Sequence, residues 1–124
     1  MRSYDFEHVI YFDVDDTLIH WDENYTQPVD GGVEITCPHD GQISHHRVHE
    51  RHVRFLRKQV AKGRGVVVWS AGGVGWAKAV VEALGLSELN IMVLSKPDKA
   101  VDDLPDARDI IPNVIYLSED KYSS

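Results

Sequence analysis

Two aspartates stand at the end of the first apolar run of the chain, and their spacing indicates metal or phosphate chemistry. Residues 9–14 read VIYFDV, and the two acids are Asp13 and Asp15. The run is rich in β-branched and aromatic residues, which predicts a strand buried on both faces. Ligands of open α/β sheets bind outside the carboxyl ends of the strands, so both carboxylates are expected to face one small volume. They suit a hard cation, and Mg²⁺ is the usual one where phosphate is involved.

A hydroxyl and a glycine-rich turn follow a second apolar run. Residues 66–69 read VVVW and predict another buried strand, which Ser70, Ala71 and Gly72 follow directly. A helical pattern begins at Val74, so the hydroxyl and the backbone N–H groups are expected to form an anion-binding pocket at a helix N-terminus. The alternative interpretation of Ser70 is an ordinary helix N-cap.

The elements that must position these residues alternate between strands and helices. Two more apolar runs, 91–94 and 114–117, predict strands, and 99–101 is a candidate short strand. Apolar residues at helical spacing predict helices over 46–62 and 74–84, with glycines after both. This alternation predicts an α/β fold, a three-layer αβα Rossmann-like parallel sheet with right-handed crossovers.

Residues 18–45 interrupt the alternation. They contain turn-forming residues and few apolar ones, and segments 33–37 and 42–45 flank a Pro-His-Asp-Gly turn. That pattern predicts a short β-hairpin flap after the first strand. We therefore expect one catalytic domain over residues 1–124, with 18–45 as a flap or minimal cap insertion.

The sequence VIYFDVDDTLI resembles the first signature of the haloacid dehalogenase-like superfamily, Asp-x-Asp-x-Thr after a hydrophobic strand. The resemblance implies that Asp13 attacks phosphorus and becomes an aspartyl-phosphate. It implies that Asp15 protonates the leaving oxygen and then deprotonates the hydrolytic water, and that Thr17 helps to fix the turn that places Asp15. An acid at the second position is typical of the phosphatase branch of that superfamily.

Three later segments resemble the remaining motifs of the superfamily in the same order, so that the resemblance extends from about Val9 to Leu117. Ser70 stands where the family has a Ser or Thr. Lys96 stands where the family has a lysine that neutralises charge on the nucleophile and the phosphate, with Lys99 as a rival. Asp102 and Asp103 resemble the acidic pair that completes the magnesium shell, Asp102 being the first choice for metal contact. The implied Mg²⁺ ligands are Asp13, Asp15, Asp102 and Asp103.

The resemblance implies a Mg²⁺-dependent phosphomonoester hydrolase that acts on a small phosphate ester, a nucleotide or a nucleic-acid end. One alternative is a phospho-accepting receiver domain, but its acceptor Asp should end a middle strand, where Ser70 stands. Another alternative is a catalytically inactive relative that only binds a ligand. A basic stripe is either a solvated helix face or a surface for a nucleic-acid backbone, and consists of Arg47, Arg51, Arg54, Lys58 and Lys62.

The composition is that of a soluble globular chain, with 43% hydrophobic and 27% charged residues and a formal net charge of −7. The charge argues against binding of duplex nucleic acid by the whole surface. No apolar run approaches the roughly 20 residues that span a bilayer, and the single cysteine indicates no disulfide framework. We expect a cytoplasmic protein with no membrane contact, for which oligomerisation is possible. A zinc site is an alternative for a group of flap residues without standard finger spacing: Cys37, His39, His45, His46 and His49.

Overall fold

A parallel sheet and a separate hairpin contain the strands of the part of the chain that the structure describes. The computed structural model describes residues 7–103 and residue 111. Within them the elements, in chain order, are β1 (Val9–Asp13), β2 (Val33–Thr36), β3 (Ile43–His46), α1 (Glu50–Ala61), β4 (Gly65–Ser70), α2 (Val74–Ala83) and β5 (Met92–Ser95).

The parallel sheet has the strand order β1-β4-β5 over the described residues. Asp13 lies beside Trp69 in the first pair of strands, and Ser70 lies beside Ser95 in the second. Because all three strands run in the same direction, their carboxyl ends meet at one edge of the sheet. The mixed α/β fold with a parallel sheet, predicted from the apolar runs, is confirmed.

One face of this sheet carries the hydrophobic core. Phe12, Val66 and Val68 point to this face and are almost completely buried. Residues from both helices join the same cluster, among them Leu56 of α1 and Val80 of α2. Since successive side chains of a strand alternate between faces, the neighbours of these core residues project to the opposite side.

The opposite face of the sheet is more open. Tyr11 is 48% exposed and Val9 is 37% exposed on β1, and Leu94 of β5 is 37% exposed. The rings of Tyr11 and Trp69 contact each other there, with centroids 4.5 Å apart. The described residues therefore show a sheet with helices on one face, and the three-layer form is not part of what they show.

Helix α1 begins four residues later than the sequence pattern predicts. His46 pairs with Val33 in the hairpin, and Val48 forms an isolated bridge with Ile19, so these residues are held in extended conformation. The helix proper buries one face and ends before Gly63, whose φ of +80° suits a residue without a side chain.

The predicted hairpin is confirmed as the antiparallel pair of β2 and β3. Its turn is closed by hydrogen bonds between Cys37 and its neighbours Gln42 and Gly41. The short strand considered at 99–101 is wrong, because these residues have no strand structure. The strand predicted at 114–117 lies outside the described residues. No helix within the described part of the chain is long and apolar enough to cross a membrane.

Candidate active site at the strand ends

The three parallel strands bring their last residues to one place. Asp13 ends β1, Ser70 ends β4, and Lys96 directly follows β5. The backbone N–H of Lys96 donates to the carbonyl oxygen of Ser70 at 2.9 Å, which continues the sheet pairing one residue past the strand. The motif residues from three separate segments are thus neighbours at the edge where α/β sheets bind ligands.

Asp13 is engaged at both carboxylate oxygens. Lys96 Nζ lies 3.0 Å from Oδ1, and the Thr17 hydroxyl donates to Oδ2 at 3.3 Å. The side chains of Asp13 and Lys96 are each 36% exposed, so the pair is open to solvent on one side. Lys96 is therefore the lysine placed beside the expected nucleophile, whereas Lys99 is exposed three residues further along.

A tight turn after β1 sets the direction of Asp15. The carbonyl oxygen of Val14 accepts hydrogen bonds from the N–H groups of Thr17, Leu18 and Ile19. Asp16 adopts a φ of 59°, a left-handed conformation that Asp tolerates better than most residues. The turn is thus made by the backbone, and the Thr17 hydroxyl contacts Asp13 rather than the turn that was expected for it.

The carboxylate of Asp15 accepts hydrogen bonds from three side chains. Its Oδ1 accepts from Trp21 Nε1 at 2.7 Å and from Trp76 Nε1 at 3.0 Å. Its Oδ2 accepts from the Ser70 hydroxyl at 3.3 Å. Sequence reasoning missed both tryptophans. Trp76 carried one available signal, because it stands in the first turn of the helix that follows the Ser-Ala-Gly-Gly segment.

Ser70 is not the N-cap of α2. The N-cap is Gly73, which makes no side-chain capping bond, and the N–H of Val74 donates instead to Ser95 Oγ at 2.8 Å. Ser70 is fully buried and its Oγ accepts from the N–H of Gly72 at 3.0 Å. The Gly72 N–H is therefore hydrogen-bonded to Ser70 rather than directed at a ligand. Ala71 and Gly72 are both exposed next to Ser70.

A cavity of about 310 Å³ opens between Asp15 and the hairpin. The tip of the hairpin reaches α2, where a Cβ added at Gly75 would lie 3.2 Å from Pro38 Cγ. The cavity combines aromatic, hydrogen-bonding and acidic side chains, and its lining consists of Asp15, Trp21, Cys37, His39, Asp40, Gln42, Ser44, Gly72 and Trp76.

Buried histidines support the loop behind the site. His46 Nδ1 donates to the carbonyl oxygen of His20 at 2.9 Å, and its Nε2 is 2.7 Å from Ser44 Oγ. His52 Nδ1 donates to the carbonyl oxygen of Thr17 at 2.5 Å. Because a carbonyl only accepts, each Nδ1 carries a hydrogen. Burial lowers the pKa of both His20 and His46.

The acids expected to complete a magnesium shell lie in the segment after β5. Asp102 and Asp103 are both exposed there. Over residues 7–103 and 111, no group of three or more His, Cys, Asp or Glu is arranged to hold a metal ion, and this applies equally to the zinc alternative in the flap. Mg²⁺ commonly uses one or two carboxylates together with water and substrate phosphate, and Asp13 offers hard oxygens of that kind.

Comparison of the chain with protein-family models, with curated proteins and with solved structures finds no match. The function of the chain is therefore inferred from its motifs and from the geometry at the strand ends.

Proposed function

We propose that the chain is a Mg²⁺-dependent phosphomonoester hydrolase of the haloacid dehalogenase-like superfamily, with Asp13 as the nucleophile. The observation that carries this proposal is the 3.0 Å contact between Lys96 Nζ and Asp13 Oδ1 at the carboxyl edge of a parallel sheet. An anionic nucleophile repels an anionic phosphate, so a cation held beside both groups lowers the barrier to attack. The likeness of the motifs to the superfamily agrees with this placement.

The proposed reaction has two steps. In the first, a carboxylate oxygen of Asp13 forms a bond to phosphorus while the bond to the leaving oxygen breaks, and Asp15 gives its proton to that oxygen. In the second, a water oxygen bonds to phosphorus, the aspartyl bond breaks, and the proton of the water passes to Asp15. Inorganic phosphate leaves, and both carboxyl groups return to their starting states. Covalent catalysis of this kind divides one difficult displacement into two easier ones.

Charge is balanced by the residues around the nucleophile. Lys96 offsets the charge of Asp13 and of the incoming phosphate, and the Thr17 hydroxyl fixes the second carboxylate oxygen. A side-chain oxygen of Asp13 would hold Mg²⁺, with Asp102 and Asp103 as further candidates. The side chain of Asp15, which the sequence also suggested as a ligand, is engaged by Trp21, Trp76 and Ser70. The ion, when bound, would screen the negative charge of the phosphate and orient it for in-line attack.

The position of Ser70 argues against a receiver domain. In the described sheet β4 lies between β1 and β5, and it ends in Ser70 rather than in an acceptor aspartate. A binding-only relative is less consistent with the site, because the expected nucleophile, acid and lysine are all present and in contact with one another or with Ser70.

A polynucleotide end is the second candidate substrate, and helix α1 is the observation that favours it. Residues 51–64 contain no acid and six basic side chains, all exposed: Arg51, Arg54, Arg57, Lys58, Lys62 and Arg64. The first turn of this helix adjoins the site through the bond from His52 to Thr17. At about 1.5 Å per residue, the basic face from 51 to 62 extends roughly 17 Å away from the site.

We also propose the three-layer form of the fold, with a further layer over the face that bears Tyr11. Parallel sheets are normally covered on both faces, and an apolar face with Tyr11 48% exposed is unusual for one. A Tyr11 ring that is protected from chemical nitration in the full chain would support this layer, and full reactivity would contradict it.

The activity is tested by assaying the protein with Mg²⁺ against an aryl phosphate, nucleotides and oligonucleotides that carry a 3′- or 5′-phosphate. We expect hydrolysis that EDTA removes and that Asp13→Asn abolishes, because the amide is a poor nucleophile. Asp30→Asn, at an exposed loop position, is the matched control and should hydrolyse normally. Undiminished turnover in the Asp13 variant would refute the assignment of the nucleophile.

A further inference from the structure

Two indole N–H groups converge on one oxygen of Asp15. Trp21 comes from the loop after β1, and Trp76 comes from the first turn of α2. Their Nε1 atoms lie 2.7 and 3.0 Å from Asp15 Oδ1, and their ring centroids are 5.7 Å apart. We refer to Trp21 and Trp76 as the indole clamp.

The indole clamp distinguishes the two oxygens of Asp15. A carboxylate oxygen offers about two lone-pair sites. Two N–H donors fill both sites of Oδ1, and an indole nitrogen donates only, so it cannot accept a proton or a hydrogen bond in return. Oδ1 therefore has no lone-pair site left, and Oδ2, which accepts from the Ser70 hydroxyl at 3.3 Å, is the oxygen left for proton transfer.

We propose that Trp21 and Trp76 are positioning residues that hold Asp15 by Oδ1 and keep its transferable proton on Oδ2. This role rests on the proposed function, since it concerns the residue that would protonate the leaving oxygen. The donors come from two different segments, so the clamp also fixes the loop after β1 against α2. The acid is thus oriented before any substrate arrives, which lowers the reorganisation needed in the transition state.

The ring and the N–H group of each tryptophan have separate roles. Trp21 also contacts His46, with centroids 4.4 Å apart, and Trp76 is only 6% exposed within the core. A purely structural role would depend on the ring, whereas the proposed role depends on the N–H. Substitution by Phe removes the donor and keeps an aromatic ring in place.

The variants Trp21→Phe and Trp76→Phe test the proposal, with Trp69→Phe as the matched control. Trp69 is half-buried and contacts Tyr11 on the opposite face of the sheet. The ratio kcat/KM is measured on an alkyl phosphate and on p-nitrophenyl phosphate. The alkyl leaving group needs protonation, and p-nitrophenolate leaves without it. We expect each clamp variant to lose roughly 10-fold in kcat/KM on the alkyl ester, as for one lost hydrogen bond to a charged group, and much less on the aryl ester. The ratio kcat/KM is used because it reports only the steps up to departure of the leaving group, whereas kcat also includes the second step, which both esters share.

A second readout does not need activity. In a ¹H–¹⁵N spectrum of the full chain, Asp15→Asn should shift the indole resonances of Trp21 and Trp76 and leave that of Trp69 in place. The exposed Trp21 makes its Phe variant the safer one for folding, which thermal unfolding checks.

Equal losses of kcat/KM on both esters in an active protein, or indole resonances that do not shift in Asp15→Asn, would overturn the clamp alone. A wild-type protein that hydrolyses neither ester would overturn the proposed function and, with it, the positioning role.

Discussion

Lys96 and Asp13 form the contact on which the proposed chemistry most depends. The lysine follows β5 directly, and its side chain reaches across the strand ends to the carboxylate at 3.0 Å. Lys99, the rival suggested by the sequence, is exposed and stands three residues later. The two lysines therefore provide a comparison within one short segment of the same chain.

We expect Lys96→Ala to reduce kcat/KM for phosphate esters by roughly 100-fold, because it removes a positive charge from the nucleophile and the phosphate. Lys99→Ala should change it by less than about 2-fold, as a surface substitution away from the site. Steady-state kinetics on one aryl phosphate measures both. Equal effects of the two substitutions would contradict the assignment of Lys96.

The sequence predicted that Asp13, Asp15 and Lys96 lie together at the strand ends, but not the indole groups that contact Asp15. Asp13 and Lys96 could be found because a motif follows a recognisable apolar run. The two indole donors to Asp15 were missed, since Trp21 and Trp76 meet only when the loop after β1 and α2 fold against each other. Local pattern carries no information on contacts between such distant segments.

The hairpin and the loop before it are held by buried histidines. His46 lies on β3, is fully buried, and bonds to the backbone of His20 and to Ser44. Burial lowers the pKa of His20 and His46 below the ordinary value of 6.5, and the charge of Arg47 also lowers that of His20. Both groups are favoured in the neutral form in the folded chain.

The stability of the fold should therefore fall as the pH drops below 6.5. In that range the unfolded chain binds more protons at His20 and His46 than the folded chain does, so the free energy of unfolding rises with pH and levels off above 6.5. Each unit by which a folded pKa is lowered contributes about 1.4 kcal/mol. Urea unfolding between pH 5 and pH 7.5 measures the slope.

The free energy of unfolding should depend less steeply on pH in His46→Asn than in the wild type. The variant His39→Asn, at an exposed position, is the control and should show the wild-type dependence. A free energy of unfolding that stays constant across this pH range would contradict the expectation.

Asp22 affects stability at lower pH than the histidines do. Its hydrogen bond to Arg47 lowers its pKa from 3.8, so its contribution to the free energy of unfolding is lost only as the pH falls below that value.

The sequence predicted most of the described helices and strands, but not the residues at which each begins and ends. Buried strands such as β4 have continuous apolar runs, and the hairpin has a clear turn signal. The beginning of α1 was misplaced because its helical pattern continues back into β3, where pairing with β2 prevails over local preference. Hydrogen bonding between segments decides such boundaries.

Across the whole molecule, charge is distributed unevenly. The chain carries 13 Lys and Arg and a net charge of −7, yet six of its basic residues fall within 51–64 without one acid. A polyanion would be repelled by most of the surface and attracted to α1. If the substrate is a polynucleotide end, affinity for the strand should therefore depend on α1 and on salt.

We expect the paired substitution Arg54→Glu and Lys58→Glu to raise KM for a phosphorylated single-stranded oligonucleotide by about 10-fold and to leave p-nitrophenyl phosphate unaffected. The logarithm of kcat/KM for the oligonucleotide should decrease linearly as the logarithm of the salt concentration increases, with a slope of roughly −0.7 per phosphate contact. The exposed Lys78→Glu, on α2, is the charge control. An unchanged KM in the paired variant would indicate a small-molecule substrate.

The only cysteine of the chain lines the cavity beside Asp15. Cys37 directly follows β2 and is half-buried, and it lines this cavity together with Asp15. A thiol-directed electrophile can therefore react with this chain at one cysteine, and that cysteine lines the same cavity as Asp15, the proposed acid. Small-molecule fragments attached to Cys37 through a disulfide could be used to probe which groups the cavity binds. The variant Cys37→Ser would remove the site of attachment.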